Sequence, residues 1–258
     1  DIKLYTVIGD DALGDAFLAM IKAKGLSADG IVKDREHGTT ATVVVVSDSG
    51  EHGCMTLKDG AAGTMRYSLD TFDIDFGDAK LLSVASLFWS KGQTDDDLKT
   101  LFAAAKENGL LIAADMVLDQ SQMRLEDIAG ALKYIDYLVP SLHEASYFTG
   151  KDTPEEIARE FHKRGVKTVV LKLGEKGVFA SEGGRIYYVP TIADQVVDTL
   201  GGGDNFVAGF LTGILDGKGL LEALYFGSST AAIAISQYGA NGAVKSKKQV
   251  QEYLDLHR

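Results

Sequence analysis

The stretch Val197-Asp198-Thr199-Leu200-Gly201-Gly202-Gly203-Asp204-Asn205-Phe206-Val207-Ala208-Gly209-Phe210-Leu211 orders the reading of everything around it. Three glycines stand directly before an acidic residue, and a strongly apolar, helix-forming run follows. Glycine lets the backbone turn sharply and lets a ligand come close to the main chain. The helix start then aims unpaired N–H groups and the positive end of its dipole at whatever the glycines admit, which suits a phosphate. Asp204 stands at that start. A carboxylate there repels a bound phosphate unless it has a task. One task is to take the proton from a hydroxyl that attacks the phosphorus. The plainer alternative is a helix cap, since aspartate is a favoured N-cap residue.

Upstream of this stretch, short apolar runs alternate with amphipathic helical patterns. Strands are expected at residues 4–8, 80–84, 110–114, 135–139 and 166–171. Helices are expected near 12–24, 95–107, 142–149, 154–164, 204–215 and 220–237. Such alternation predicts a mostly parallel sheet covered by helices on both faces, an α/β fold. Residues 31–67 break the rhythm. Runs at 42–46 and 53–57 flank the turn residues Asp48-Ser49-Gly50, which predicts antiparallel hairpins without a helix. An insertion of that kind on an α/β core serves as a lid or an oligomer contact, or is a plain edge hairpin. No repeat, low-complexity tract or linker divides the chain, so residues 1–258 are read as one domain with 31–67 as its β subdomain.

Composition narrows the function. Asp and Glu outnumber Lys and Arg by 37 to 26, a net charge of −11, which argues against nucleic acid or an anionic membrane as the main partner. The one cysteine, Cys54, excludes an internal disulfide and a cysteine zinc cage. No apolar run is long enough for a membrane-spanning helix. The opening residues Asp1-Ile2-Lys3-Leu4 have no signal-peptide pattern, so a cytoplasmic protein is expected. No Gly-x-Gly-x-x-Gly follows a strand, which argues against a dinucleotide fold, and no P-loop occurs.

The decisive stretch resembles the C-terminal signature of the ribokinase-like (PfkB-type) carbohydrate kinases. Asp198, Thr199, Gly201, Gly202, Gly203, Asp204, Ala208, Gly209, Phe210 and Leu211 all fit it. The likeness extends along the chain. Gly9-Asp10-Asp11-Ala12-Leu13-Gly14 is similar to the family's early Gly-x-Asp-x-x-Gly turn. Gly38-Thr39-Thr40-Ala41 and Gly50-Glu51 are similar to its lid hairpins, and Gly60-Ala61-Ala62 to its Gly-Ala-Asn. The segment from Ala105 to Asp115 resembles a helix and strand ending in an acidic residue near the active site. Ser141-Leu142-His143-Glu144 resembles the Asn-x-x-Glu block, Lys172-Leu173-Gly174-Glu175-Lys176-Gly177 the nucleotide loop, and Gly239-Ala240 the Gly-Ala near the end.

This resemblance implies a three-layer α/β/α kinase with a small β lid that transfers phosphate from ATP to a sugar or sugar-acid hydroxyl. Asp204 is then the general base, and Gly201, Gly202 and Gly203 form the anion hole. Glu144 helps hold Mg²⁺ through water, since Mg²⁺ keeps much of its hydration; taken alone it is a first-turn helix carboxylate. Gly174 and Gly177 pass close to the nucleotide, and Ser228 lines the adenine pocket. Asp198 and Leu200, with Gly239, stand where carbonyls bind a monovalent cation such as K⁺. The lid implies a homodimer.

Four departures qualify the likeness. Ser141 replaces the usual Asn, so its contact to Mg²⁺ and phosphate is looser or water-mediated. Lys172 stands where Thr is common, its ammonium either on a nucleotide phosphate or in solvent. Asn205 follows the aspartate where a small residue is usual. Relatives also carry an N-terminal portion with a first core strand and sugar-binding residues that this sequence does not show, so weak or no sugar kinase activity is expected if nothing replaces it. Phe88 and Trp89 are candidates for the sugar site or for plain core packing. Alternatives are a nucleoside kinase on the same scaffold and a non-catalytic nucleotide- or sugar-binding relative.

Overall fold

Successive side chains along the central strands leave the sheet on opposite sides, and each side is buried under its own helices. The computed structural model describes residues 2–46, 52–57, 59–118 and 122–258. Its main sheet runs in the order β10 (Arg185–Val189), β9 (Val178–Glu182), β8 (Thr168–Lys172), β7 (Tyr137–Leu138), β6 (Leu111–Met116), β5 (Leu81–Leu87). β5 through β8 are parallel, and β9 and β10 add an antiparallel hairpin at one edge.

Ile112 and Ala114 of β6, Val169 and Leu171 of β8, and Phe179 of β9 enter one core. There they meet α3 (Asp95–Glu107), α4 (Ala129–Leu132), α5 (Leu142–Thr149) and α6 (Pro154–Lys163). Their neighbours Ala113, Val170, Val178 and Ala180 enter a second core against α7 (Gly202–Leu215) and α8 (Leu220–Ile235). Two helical layers on one sheet make the expected three-layer α/β/α fold. Phe102, Phe161, Phe179 and Phe210 are fully buried, each worth about 1.5–3 kcal/mol in removed apolar surface.

Helix ends follow local chemistry. α3 begins at Thr94, whose hydroxyl accepts from Asp97 N, and three aspartates occupy its first turn, where the dipole favours them. α6 begins behind Thr153 with Pro154 in its first turn. α5 begins at a capping box of Ser141 and Glu144 and ends at Gly150 in the left-handed conformation. These three helices sit at the expected residues.

The amino-terminal part is built differently. β1 (Thr6–Gly9) pairs in parallel with β2 (Ile31–Asp34) in a separate two-stranded sheet. Between them runs α1 (Ala12–Ala23). The Gly-x-Asp-x-x-Gly turn is held by Asp11, which caps α1 through Gly14 N and accepts from Thr39 N and Thr39 Oγ1, all within 2.7–2.8 Å. Those bonds, that from Thr39 N foremost, pull its carboxyl down to about 2. Residues 31–67 are thus not all antiparallel hairpin: β2 joins β1 in parallel, and α2 (Ala61–Thr64) is a short helix. The expected hairpin is β3 (Thr42–Val46) with β4 (His52–Thr56). Its turn residues Asp48-Ser49-Gly50, and Glu51 of the lid-like Gly50-Glu51, lie outside the described residues.

The residues between α2 and β5 join the two parts. Tyr67 and Ile74 touch both the Val7–Phe72 cluster and the main core, and Tyr67 Oη donates to Ala85 O at 2.8 Å. At the other end α9 (Lys247–His257) packs on α8 through Val250 and Leu254. Among the described residues no helix is long and apolar enough to cross a membrane.

Candidate active site

The parallel strands end on one side of the sheet, the side on which α/β proteins bind ligands. Asp115 is near the end of β6, Ser141 follows β7, and Lys172 closes β8. Lys172 N donates to Pro140 O at 3.0 Å, which sets the β7 and β8 ends side by side. The Lys172 ammonium forms a 2.5 Å ion pair with Asp115, both side chains being mostly buried. Burial pushes the Asp115 carboxyl up to about 6; Lys172 opposes this, and the charge of Glu144 adds to it.

The decisive stretch arrives from the other helical layer. Gly201 caps α7 with φ +73°, and a Cβ on it would lie 2.7 Å from Ala240 Cβ. Both conformation and close approach therefore demand glycine here. Gly202 N is already committed to Thr199 O at 3.1 Å. Among the described residues, the N–H groups of Gly203 and Asp204 have no acceptor. A Cβ on Gly203 would lie 3.5 Å from Lys172 Nζ, so the ammonium stands beside the opening turn of α7. Gly203 and Asp204 are exposed, and the apolar side of the helix is held by buried Phe206 and Phe210.

The other expected residues fall into three groups. Glu144 joins this cluster: its Oε2 accepts from Ser141 N at 2.8 Å and Ser141 Oγ at 2.6 Å. Gly174 is exposed with φ +63°, whereas Gly177 is buried where a Cβ would lie 2.1 Å from Val189 O. Packing of the hairpin alone thus requires glycine at 177. Ser228 is buried in α8 with no partner for its Oγ among the described residues.

Asp198 is buried. Its carboxylate accepts from Leu200 N at 2.9 Å and Gly239 N at 3.0 Å, so all three expected cation-site residues are joined through it. Among the described residues no group of three or more His, Cys, Asp or Glu is placed to hold a metal ion. Phe88 is core, stacked on Phe148 with ring centroids 4.0 Å apart, and Trp89 is half-buried. One feature was not legible beforehand. The Asn205 amide bridges Gly201 O at 2.8 Å and Ala240 O at 2.7 Å.

Strand ends, a glycine-opened helix start and a mostly buried lysine meeting at one place describe an α/β enzyme acting at the carboxyl ends of its parallel strands. The sequence model of the pfkB family carbohydrate kinases matches residues 1–247, and the chain belongs to that family. It is 26% identical to a ribokinase of Haemophilus influenzae, over 98% of this chain and 81% of that protein. To a 2-dehydro-3-deoxygluconokinase of Bacillus subtilis it is 25% identical, over 97% and 80%. Among solved structures it is similar to Arabidopsis thaliana ribokinase complexed with ribose and ATP, with a TM-score of 0.77, 25% identity, and coverage of 97% and 80%. The chain is a carbohydrate kinase with the ribokinase fold.

Proposed function

We propose that this kinase uses ATP to phosphorylate a hydroxyl of a sugar or sugar acid, with Asp204 as the general base. The observation that carries the reading is the meeting of the exposed Asp204 carboxylate, two N–H groups without acceptors and the Lys172 ammonium at the start of α7. Asp204 takes the proton of the attacking hydroxyl. The oxygen bonds to the γ-phosphorus, the bond to the β–γ bridging oxygen breaks, and ADP leaves. Gly203 N–H, Asp204 N–H and Lys172 offset the charge on the transferring group, the kind of preorganised donor set that dominates such catalysis. Gly174 and Ser228 face the nucleotide on this reading, Ser228 offering its unpartnered hydroxyl.

Mg²⁺, when bound with the nucleotide, neutralises phosphate charge and orients the γ-phosphate. One protein carboxylate, Glu144, and the Ser141 hydroxyl fit an ion that keeps several waters. A monovalent cation such as K⁺ takes oxygen donors, and the carbonyls of Asp198, Leu200 and Gly239 are of that type. The lid hairpin exposes Val43, Val45, Met55 and Leu57, an apolar face that fits pairing of two copies.

The test is ADP release with Mg²⁺ and K⁺ over a panel of sugars, sugar acids and nucleosides. Turnover on a sugar or sugar acid, reduced about 10²–10⁴-fold in Asp204→Ala, is the expected result. Turnover on a nucleoside alone moves the substrate class. Absence of turnover on every acceptor sinks the reading.

A further inference from the structure

Two side chains fasten the loop before α7 to the turn at residues 238–242, and they do so with opposite chemistry. The Asp198 carboxylate has only acceptors, and it takes the N–H of Leu200 from one side and of Gly239 from the other. The Asn205 amide nitrogen has two donors, and it gives them to the carbonyls of Gly201 and Ala240. Gly201 O also accepts from Asn205 N at 2.9 Å, so one residue fixes that carbonyl twice. The contact between the loops is close elsewhere too, since there is no room for a side chain at Gly201 against Ala240.

The peptide unit is planar, so fixing the Gly201 carbonyl fixes the plane that leads into Gly202. From there the helix register sets where the N–H groups of Gly203 and Asp204 point. The turn at 238–242 is otherwise lightly held: Tyr238, Gly239, Asn241 and Gly242 are exposed. We infer that Asn205 is a positioning residue that couples this turn to the phosphate-facing loop, so that the donors of Gly203 and Asp204 hold their geometry only while the turn is seated. The inference rests on the kinase reading for its catalytic consequence, and on the two hydrogen bonds for the coupling itself. Apolar or small residues at 205 leave Ala240 O without this donor and Gly201 O with the backbone N–H of residue 205 alone.

The experiment compares wild type with Asn205→Leu, which keeps the branched shape without the donors, and Asn205→Ala, which removes the side chain beyond Cβ. Four quantities are read: kcat, sugar KM, amide hydrogen exchange over 236–242, and the melting temperature. Each lost neutral hydrogen bond is worth about tenfold in an equilibrium. Both variants should therefore exchange roughly tenfold faster over 236–242 and lose roughly tenfold in kcat, with sugar KM within about twofold and core amides unchanged. Faster exchange with unchanged kcat overturns the coupling to catalysis. A loss of kcat with unchanged exchange overturns the role of the turn. Unfolding of Asn205→Leu leaves Asn205→Ala to decide. A wild type without turnover sinks the kinase reading instead, and the exchange readout then decides the coupling alone.

Discussion

Lys172 and Asp115 form a mostly buried ion pair at the point where β6 and β8 end. Removing two charges from water costs more than their attraction returns unless the geometry is good. Here burial prevails, because the Asp115 carboxyl is held at about 6, above its ordinary 3.8. A raised carboxyl means the folded state binds the proton more tightly than the unfolded chain. This contribution is therefore fully present below pH 4 and is lost as pH rises through 6. Asp115→Asn should remove that part of the pH dependence, which melting curves at pH 4, 5, 6 and 7.5 would show. An unchanged slope between pH 4 and 6 would contradict it. Activity should fall as well, since Lys172 loses the partner that keeps it beside Gly203.

At the scale of elements, α7, which carries the proposed base, lies close against α8. A Cβ on Gly209 would come within 2.2 Å of Thr230 Oγ1 and 2.6 Å of its Cβ, and one on Gly213 within 3.0 Å of Ala223 Cα. In an open helix, alanine improves on glycine by about 1 kcal/mol. Against Thr230 the clash wins, because overpacking a tight contact costs about 1–3 kcal/mol. Gly209→Ala should lower the melting temperature by several degrees and lower kcat through displacement of the helix that presents Asp204. A more stable Gly209→Ala protein would mean that the helices are free to part.

Further elements lie outside the strands and helices expected from the sequence. β9 and β10 flank Gly183-Gly184 with Val-Phe-Ala-Ser-Glu and Arg-Ile-Tyr-Tyr-Val, a hairpin signal legible from the glycine pair. α9 starts at Ser246, a capping residue, and buries Val250 and Leu254 one turn apart, which a helical period also shows.

At the scale of the whole molecule, the proposed pairing of two copies is tested at the exposed apolar face of the β3–β4 hairpin. Val43 pairs with Met55 across the hairpin, and Val45 and Leu57 lie further along it, all at least half exposed. On the dimer proposal, Val45→Asp should convert a dimeric wild type to monomer in sedimentation velocity while leaving the melting temperature of the main fold nearly unchanged. A monomeric wild type would remove the lid from the list of interfaces.

By itself the sequence determined the class of fold and singled out the loop before α7 as the candidate site, because both depend on patterns local in the chain. The alternation of apolar runs and amphipathic helices needs only a few residues at a time to be read. So do the caps Thr94, Ser141 and Thr153, and the glycines before Asp204. The tertiary structure alone decided which residues meet. Asp115 and Lys172 are 57 positions apart, Asn205 and Ala240 35, and Asp198 and Gly239 41. It also decided that β1 pairs with β2 in a sheet of its own rather than within the main one. A strand's sequence shows that it will pair, but its partner is chosen by hydrogen bonds and side-chain packing from distant segments.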